Sequence, residues 1–311
     1  MNEDGPILVI GSASTDIVGR ATAPLNRRTS NSAIIHTSRG GVARNVAENL
    51  ARLGMHTLLI AAVGDDAAGV RLATQAAECG IDTSHMVQAA GKRTGSYLAV
   101  LDNQGLLQYG LADMDVADVL TPELLRGKRE LFKDAALVVI DANLHPKTIA
   151  TVFRLARSAR VPVCADPTSS VLAARLKPHL QGLHLVTPNP AETEALSSVP
   201  MSVLEREGAI TAAQRLVSAG VSIAAVTMAE FGVGYASSSG SGHVPAIQTE
   251  IVNQTGAGDA FTAAVIFALL NDIPVDEAIR LGVSAASLTL RSSETVVPDL
   301  SLEMLYDQLA A

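Results

Sequence analysis

Two hydrophobic periods alternate along the chain, and the switches between them mark its elements. Residues 7–10, Ile-Leu-Val-Ile, form an unbroken apolar run stopped by Gly11 and Ser12, the pattern of a short strand buried on both faces. Similar runs at 58–63, 136–141, 161–166, 183–187 and 221–227 predict further buried strands, and a β-like run spans 243–252. Between them apolar positions recur at three and four residues. In the helix opened by Gly40 and Gly41 and reaching Leu53, the apolar row is Val42, Val46, Leu50 and Leu53. Glu48 and Arg52 make an i,i+4 pair on its polar side. The same period predicts helices over 67–78, 148–158, 190–197, 209–218, 259–270 and 275–290. Strands that alternate with helices imply a mainly parallel central sheet covered on both faces, an α/β/α sandwich of three layers.

Two segments break that rhythm. Residues 17–38 read as strand, polar loop and strand, and residues 94–112 read as a hairpin turning at Asn103-Gln104-Gly105. Together they predict a small β-sheet apart from the main layer, placed to act as a lid on a single domain of residues 1–311.

Composition narrows the class. The chain has 311 residues and is 48% hydrophobic, enough for one large core. A formal net charge of −8 argues against a nucleic-acid surface and fits a small neutral substrate. Cys79 and Cys164 stand alone, without metal spacing, as expected of a reduced, cytoplasmic chain. The acidic N-terminus does not read as a signal peptide, and no apolar run reaches membrane-spanning length. Seven scattered histidines form neither a zinc nor a Ser-His-Asp pattern.

The chemistry concentrates at 255–259, Thr-Gly-Ala-Gly-Asp, directly before an apolar helix. Small residues at Gly256, Ala257 and Gly258 leave backbone N–H groups bare where a helix N-terminus already favours an anion. Asp259 adds a carboxylate able to accept a proton from an attacking hydroxyl. An ordinary turn with an acid at the helix start would read the same way. Phe261 stands where a dinucleotide fingerprint needs its third glycine, and the Lys of a P-loop is missing.

A second element is Gly40-Gly41-Val42-Ala43-Arg44-Asn45, where two glycines admit a ligand to the backbone and Asn45 offers both donor and acceptor. Asn45 could equally belong to a solvated helix face. Thr187-Pro188-Asn189-Pro190-Ala191-Glu192 is the third, with Asn189 as cap, Pro190 at the first helical position and Glu192 three residues after the cap. Asp16, Asn143, Asp166, Asn189 and Thr227 all follow strands, at the sheet edge where open α/β folds bind ligands.

With these motifs the chain resembles the ribokinase/PfkB family of sugar and nucleoside kinases, whose C-terminal signature contains Thr-Gly-Ala-Gly-Asp. The resemblance implies a ribokinase-like fold, ATP as phosphoryl donor and Mg²⁺ as cofactor. It places the anion hole on Gly256, Ala257 and Gly258, with Thr255 beside the nucleotide and Asp259 as the base. Gly40, Gly41 and Asn45 match the N-terminal signature, and Asn45 with Asp16 would hold substrate hydroxyls. Gly64-Asp65-Asp66 and Gly69 also fit the family pattern, or simply cap a helix. Asn189 and Glu192 match the family's Asn-x-x-Glu, with Glu192 acting on Mg²⁺ indirectly through water. Thr227 and Gly232 match a nucleotide loop in which Ala229 replaces the usual first glycine, implying a stiffer or shifted loop. Asn253 replaces an aspartate that in many members helps hold a monovalent cation, which argues against strong activation by K⁺.

Arg44 directly before Asn45 is unusual, and its planar donors would suit the carbonyls of a uracil-like base. With the segments 11–16, 94–102, 113–114 and 298–301, it gives a resemblance to the pseudouridine kinases of this family. By implication Ser96, Tyr97 and Asp113 line the base and ribose side. The expected reaction is phosphorylation of the nucleoside's 5′-hydroxyl, with another sugar or nucleoside, or a non-catalytic nucleoside-binding regulator, as alternatives. An apolar lid face such as Tyr97, Ala99 and Leu101 would permit a homodimer through the lid.

Overall fold

A computed structural model describes residues 5–198 and 206–310. Its strands, in chain order, are β1 (Ile7–Ser12), β2 (Ser14–Ala21), β3 (Ala33–Gly40), β4 (Thr57–Gly64), β5 (Val87–Ala89), β6 (Gly95–Leu101) and β7 (Leu107–Asp113), followed by β8 (Leu137–Asp141), β9 (Val163–Asp166), β10 (Leu183–Val186), β11 (Ile223–Thr227), β12 (Val233–Ser237) and β13 (Gly240–Val244). Among the described residues nine of these form one sheet in the order β13-β12-β11-β10-β9-β8-β1-β4-β5. It is parallel from β11 across to β5, and only β12 and β13 run antiparallel at one edge. Helices cover both faces, so the central strands are buried throughout: every residue of β1, β4, β8 and β9 is inaccessible to solvent or nearly so. The sheet divides two hydrophobic clusters. One packs Val9, Leu59 and Val139 against helices Val42–Arg52 and Ala257–Leu270, and the other packs Leu8, Ile60 and Ile140 against helix Pro146–Ala159.

The remaining strands build a second sheet in the order β3-β2-β6-β7. Its register pairs Asp16 with Ser38 and Tyr97, Val18 with His36 and Ala99, and Tyr97 with Ala112. Because side chains alternate across a strand, those residues share one face, while Ile17, Leu98, Ser96, Leu111 and Asp113 share the other. Asp66 ties this sheet to the main one. Its carboxylate caps helix Ala67–Glu78 through Gly69 N and accepts from both the amide and the hydroxyl of Thr94, at the start of β6. These hydrogen bonds hold the Asp66 carboxyl down at about 2.

The long periodic elements lie where the pattern puts them, and the β-like run at 243–252 does not. Pairing stops at Val244, the partner of Val233, and 245–250 is irregular because Pro245 cannot donate to a ladder.

Candidate active site

A cavity of about 940 Å³ lies between the carboxyl ends of the main-sheet strands and the inner face of the small sheet. Ser12, Asn143 and Thr168 line it from the main sheet, Asp16, His36, Tyr97 and Ala99 from the small one, and Thr255, Gly256 and Asp259 from the helix start. Gly41 and Asn45 line it from the start of helix Val42–Arg52.

Helix Ala257–Leu270 begins at Gly256 with φ 89°, a conformation that favours glycine. A side chain there would also run into the carbonyl of Thr295. Among the described residues no side chain caps this helix, so its first amides are open to an anion. Beyond the helix's own backbone, nothing among the described residues lies within 4 Å of where a Gly258 side chain would stand. The protein itself does not require glycine at 258, whereas a close-approaching phosphate would. A phosphoryl group therefore fits this cradle.

Asp259 sits in the first helical turn, is 8% exposed, and accepts a 2.6 Å hydrogen bond from Asn45 Nδ2. Burial raises its carboxyl to about 7; the Asn45 bond opposes the rise, the Asp16 charge adds to it, Arg44 lowers it and Asp141 raises it. Asp16 is likewise raised by burial to about 6, against the Ser14 hydroxyl and Arg44. Ser14 Oγ donates to Asp16 Oδ1 at 3.2 Å. Gly40 is needed here on steric grounds, since the Asp16 carboxylate occupies the place of its missing side chain. Gly41 has φ 92°, and a Cβ there would stand only 2.6 Å from the Ser12 carbonyl oxygen.

The cavity thus gathers Asp16, Gly41, Asn45, Tyr97, Thr255, Gly256 and Asp259. Ala257 and Gly258 extend the same helix start. Three sequence expectations need correction. Arg44 does not face the cavity: it is 1% exposed, with its guanidinium committed to Glu48, Asn45, Thr295 and the carbonyls of Arg39 and Gly40. Ser96 and Asp113 pair with each other on the outer face of the small sheet, because alternation turns them away when Tyr97 turns in. For the same reason Tyr97, Ala99 and Leu101 line the cavity instead of offering an outer face.

Asn189 and Glu192 form a complete capping box at the start of helix Pro190–Ser197: Glu192 N donates to Asn189 Oδ1 at 3.0 Å and Asn189 N to Glu192 Oε2 at 2.9 Å. Thr227 ends β11, its amide bonded to Pro188 O. Gly232 has φ 87° and packs against the carbonyl of Val244, so its glycine is a backbone requirement. Ala229, in the family's glycine position, keeps a positive φ of 48°.

Two carboxylates carry more than the sequence assigned them. Asp141, at the end of β8, accepts from Ser12 N at 2.7 Å, Ser12 Oγ at 2.6 Å, Ala43 N at 3.0 Å and Asn143 N at 2.9 Å, locking the floor of the cavity to helix Val42–Arg52. Asp166 ends β9 and is held well above the ordinary carboxylate range by burial, then by Asp259 and Glu192. Its strand-end position is the one signal in the sequence; the two acids that give it meaning are distant along the chain. Glu192 is raised by burial too, against its bonds to Asn189. Among the described residues no three metal-binding side chains converge into a cage. Buried carboxylates gathered in this way, whose ionised forms a nearby cation would favour, suit Mg²⁺, which needs few direct protein ligands, keeps its waters and binds phosphate oxygens.

Residues 5–301 match the model of the pfkB family carbohydrate kinases. The chain belongs to that family. Among pfkB relatives, the pseudouridine kinase of Escherichia coli strain K12 is 34% identical, covering 97% of this chain and 96% of the relative. The guanosine-inosine kinase of Exiguobacterium acetylicum is 32% identical over 94% and 97%. The Arabidopsis thaliana ribokinase structure with ribose and ATP superposes with a TM-score of 0.83, covering 99% of both chains at 23% identity, a likeness of fold. The pfkB fold is thus ribokinase-like: a large, mainly parallel sheet among helices, with a smaller sheet beside it.

Proposed function

We propose that this pfkB kinase transfers the γ-phosphoryl group of ATP to the 5′-hydroxyl of pseudouridine. The observation that carries the reading is the placement of Asp259 in the cavity wall, one residue from the bare Gly258 backbone. Asp16 and Asn45, at the same end, are placed to hold ribose hydroxyls. Asp259 then takes the acceptor's proton, the freed oxygen attacks the γ-phosphorus, and the bond to the β–γ bridging oxygen breaks as ADP leaves. The amides at 256–258 neutralise charge on the moving group. Asp166 and Glu192 would hold Mg²⁺, Glu192 through water, and the ion would supply neutralisation of phosphate charge. The small sheet serves as a lid that excludes water.

A nucleoside in place of a bare sugar is supported by the whole-length likeness to two nucleoside kinases, and pseudouridine by the first of them. The second favours a purine nucleoside as the alternative acceptor. K⁺ fits poorly: Asn253 Oδ1 accepts from Thr255 N at 3.0 Å and its Nδ2 donates to Ser293 O at 3.2 Å, so a donor points where a cation needs oxygen. The test is ADP release with pseudouridine, uridine, guanosine, inosine, adenosine and ribose. Highest kcat/KM on pseudouridine is expected. Preference for guanosine or inosine would overturn the substrate, and binding without ADP release from any acceptor would overturn the activity.

A further inference from the structure

We infer that Arg44 is a positioning residue that fixes which end of the Asn45 carboxamide faces Asp259, and that it ties this pair to the base of the lid and to the strip behind the anion hole. The inference rests on Asp259 being the base proposed above.

The geometry leaves little freedom. Guanidinium has donors and no acceptor, so the Asn45 atom bonded to Arg44 Nη2 must be its oxygen. The amide nitrogen is thereby turned to Asp259 Oδ2, where it donates at 2.6 Å. With the amide reversed, two oxygens would face one another and the ionised form of Asp259 would lose its hydrogen bond. The same guanidinium donates from Nε to Gly40 O at 3.0 Å and from Nη2 to Arg39 O at 3.3 Å, the last two residues of β3. It also reaches Thr295 Oγ1 at 3.2 Å. Thr295 in turn donates to Arg39 O at 2.7 Å, and its carbonyl lies against Gly256. One planar side chain therefore touches the acceptor-holding asparagine, the lid's root and the support of the helix start.

Arg44 is also part of an ion cluster, and a purely structural role must be separated from positioning. Glu48 would keep Arg52, bonded at 2.7 Å, and Arg39 after loss of Arg44. The charged groups facing Asp259 are Asp16, Asp141 and Asp166 from three strands and Arg44 from helix Val42–Arg52. Arg44 is the cation among those named. Removing it should favour protonated Asp259.

The experiment compares wild type, Arg44→Met, Arg44→Lys, Asp259→Asn and Arg44→Met/Asp259→Asn in full-length protein. Turnover of ATP with pseudouridine is followed against pH, and carboxyl titrations are followed by NMR of ¹³C-aspartate-labelled protein, with Asp259→Asn identifying the resonance. In Arg44→Met the acid limb of kcat/KM and the Asp259 titration should both move upward by about one pH unit. The kcat should fall roughly tenfold to a hundredfold. Arg44→Lys keeps the charge and loses the fork, so its limb should stay near wild type while kcat remains low. In the Asp259→Asn background the Arg44→Met change should cost almost nothing further. Equal loss in both backgrounds, or an unmoved Asp259 titration in folded Arg44→Met, would overturn the inference. Full turnover by Asp259→Asn would instead overturn the base assignment. If Arg44→Met does not fold, Arg44→Lys decides: a normal kcat refutes positioning by the fork.

Discussion

Asp259 is costly to the fold, and useful in the proposed reaction, for one reason, its burial with no ion-pair partner among the described residues. Asp259→Asn should lower kcat by about 10³-fold or more while leaving nucleotide affinity close to wild type, read by turnover and by titration with a non-hydrolysable nucleotide. It should also stabilise the free protein at pH 8 by about 1–3 kcal/mol, read from denaturant midpoints. The sign follows from the raised carboxyls, about 7 for Asp259 and about 6 for Asp16. Between about pH 4 and those values the native state binds more protons than the unfolded chain, so this stability is present at low pH and lost as pH rises through the window. The kcat/KM profile runs the other way and should climb through pH 7 as the base form of Asp259 appears; a flat profile from about pH 6 to 8 would refute the assignment. Ala229 is a second residue under tension, with φ 48° where glycine is favoured. Ala229→Gly should gain up to about 1 kcal/mol, the left-handed cost minus the extra unfolded-state entropy of glycine, again read from denaturant midpoints. At this scale the sequence points to residues whose proposed roles depend on their own backbone, such as Gly256 and Asp259. It marks Arg44 but hides its surroundings, since one partner of the guanidinium, Thr295, lies 251 residues away.

At the level of elements, the start of helix Ala257–Leu270 offers a clean separation of folding from function. Gly258 is helical and has open space beside it, so Gly258→Ala should raise stability by about 1 kcal/mol on helix propensity. The same methyl would enter the phosphate's place, so kcat should drop by at least about tenfold. Unchanged turnover would show that no phosphoryl group comes near Gly258. The neighbouring loop makes a different prediction. With Asn253 bridging to Ser293, exchanging K⁺ for tetramethylammonium should alter turnover by less than about twofold. A loss above roughly tenfold would show that a cation is held there despite the amide. Elements with strong local periodicity, such as helices Ala67–Glu78 and Val275–Leu290, are legible to the residue. The β12–β13 hairpin is not, because Gly234, Gly240 and Gly242 with Ser237 and Ser241 leave its strands almost no apolar alternation. Its pairing with β11 is decided by the sheet edge.

Across the whole molecule the two sheets are covered differently. The large one is buried on both faces through its central strands, whereas the small one gives one face to the cavity and leaves apolar residues exposed on the other. Its outer face carries Ile35, Leu98, Tyr109 and Leu111, exposed by 70%, 37%, 57% and 61%. Register brings them together: Leu98 lies opposite Leu111, and Val100 opposite Tyr109, across β6 and β7. Sequence alternation could predict that one face of this sheet is apolar but not which, since either parity fits a half-covered sheet until the main body is in place. An apolar sheet face of this kind is expected to be covered by a second copy of the chain, meeting lid against lid. Sedimentation at micromolar concentration should then give a dimer. Leu111→Glu should give a monomer of unchanged fold, because its cross-strand partner Leu98 is itself exposed and no core contact is lost with it. The active-site wall would be affected only through lid mobility, so KM for the acceptor should rise more than kcat falls. A wild-type monomer at tens of micromolar would refute the dimer and leave the site as described, since Asp259, Asn45 and the helix start all come from one chain.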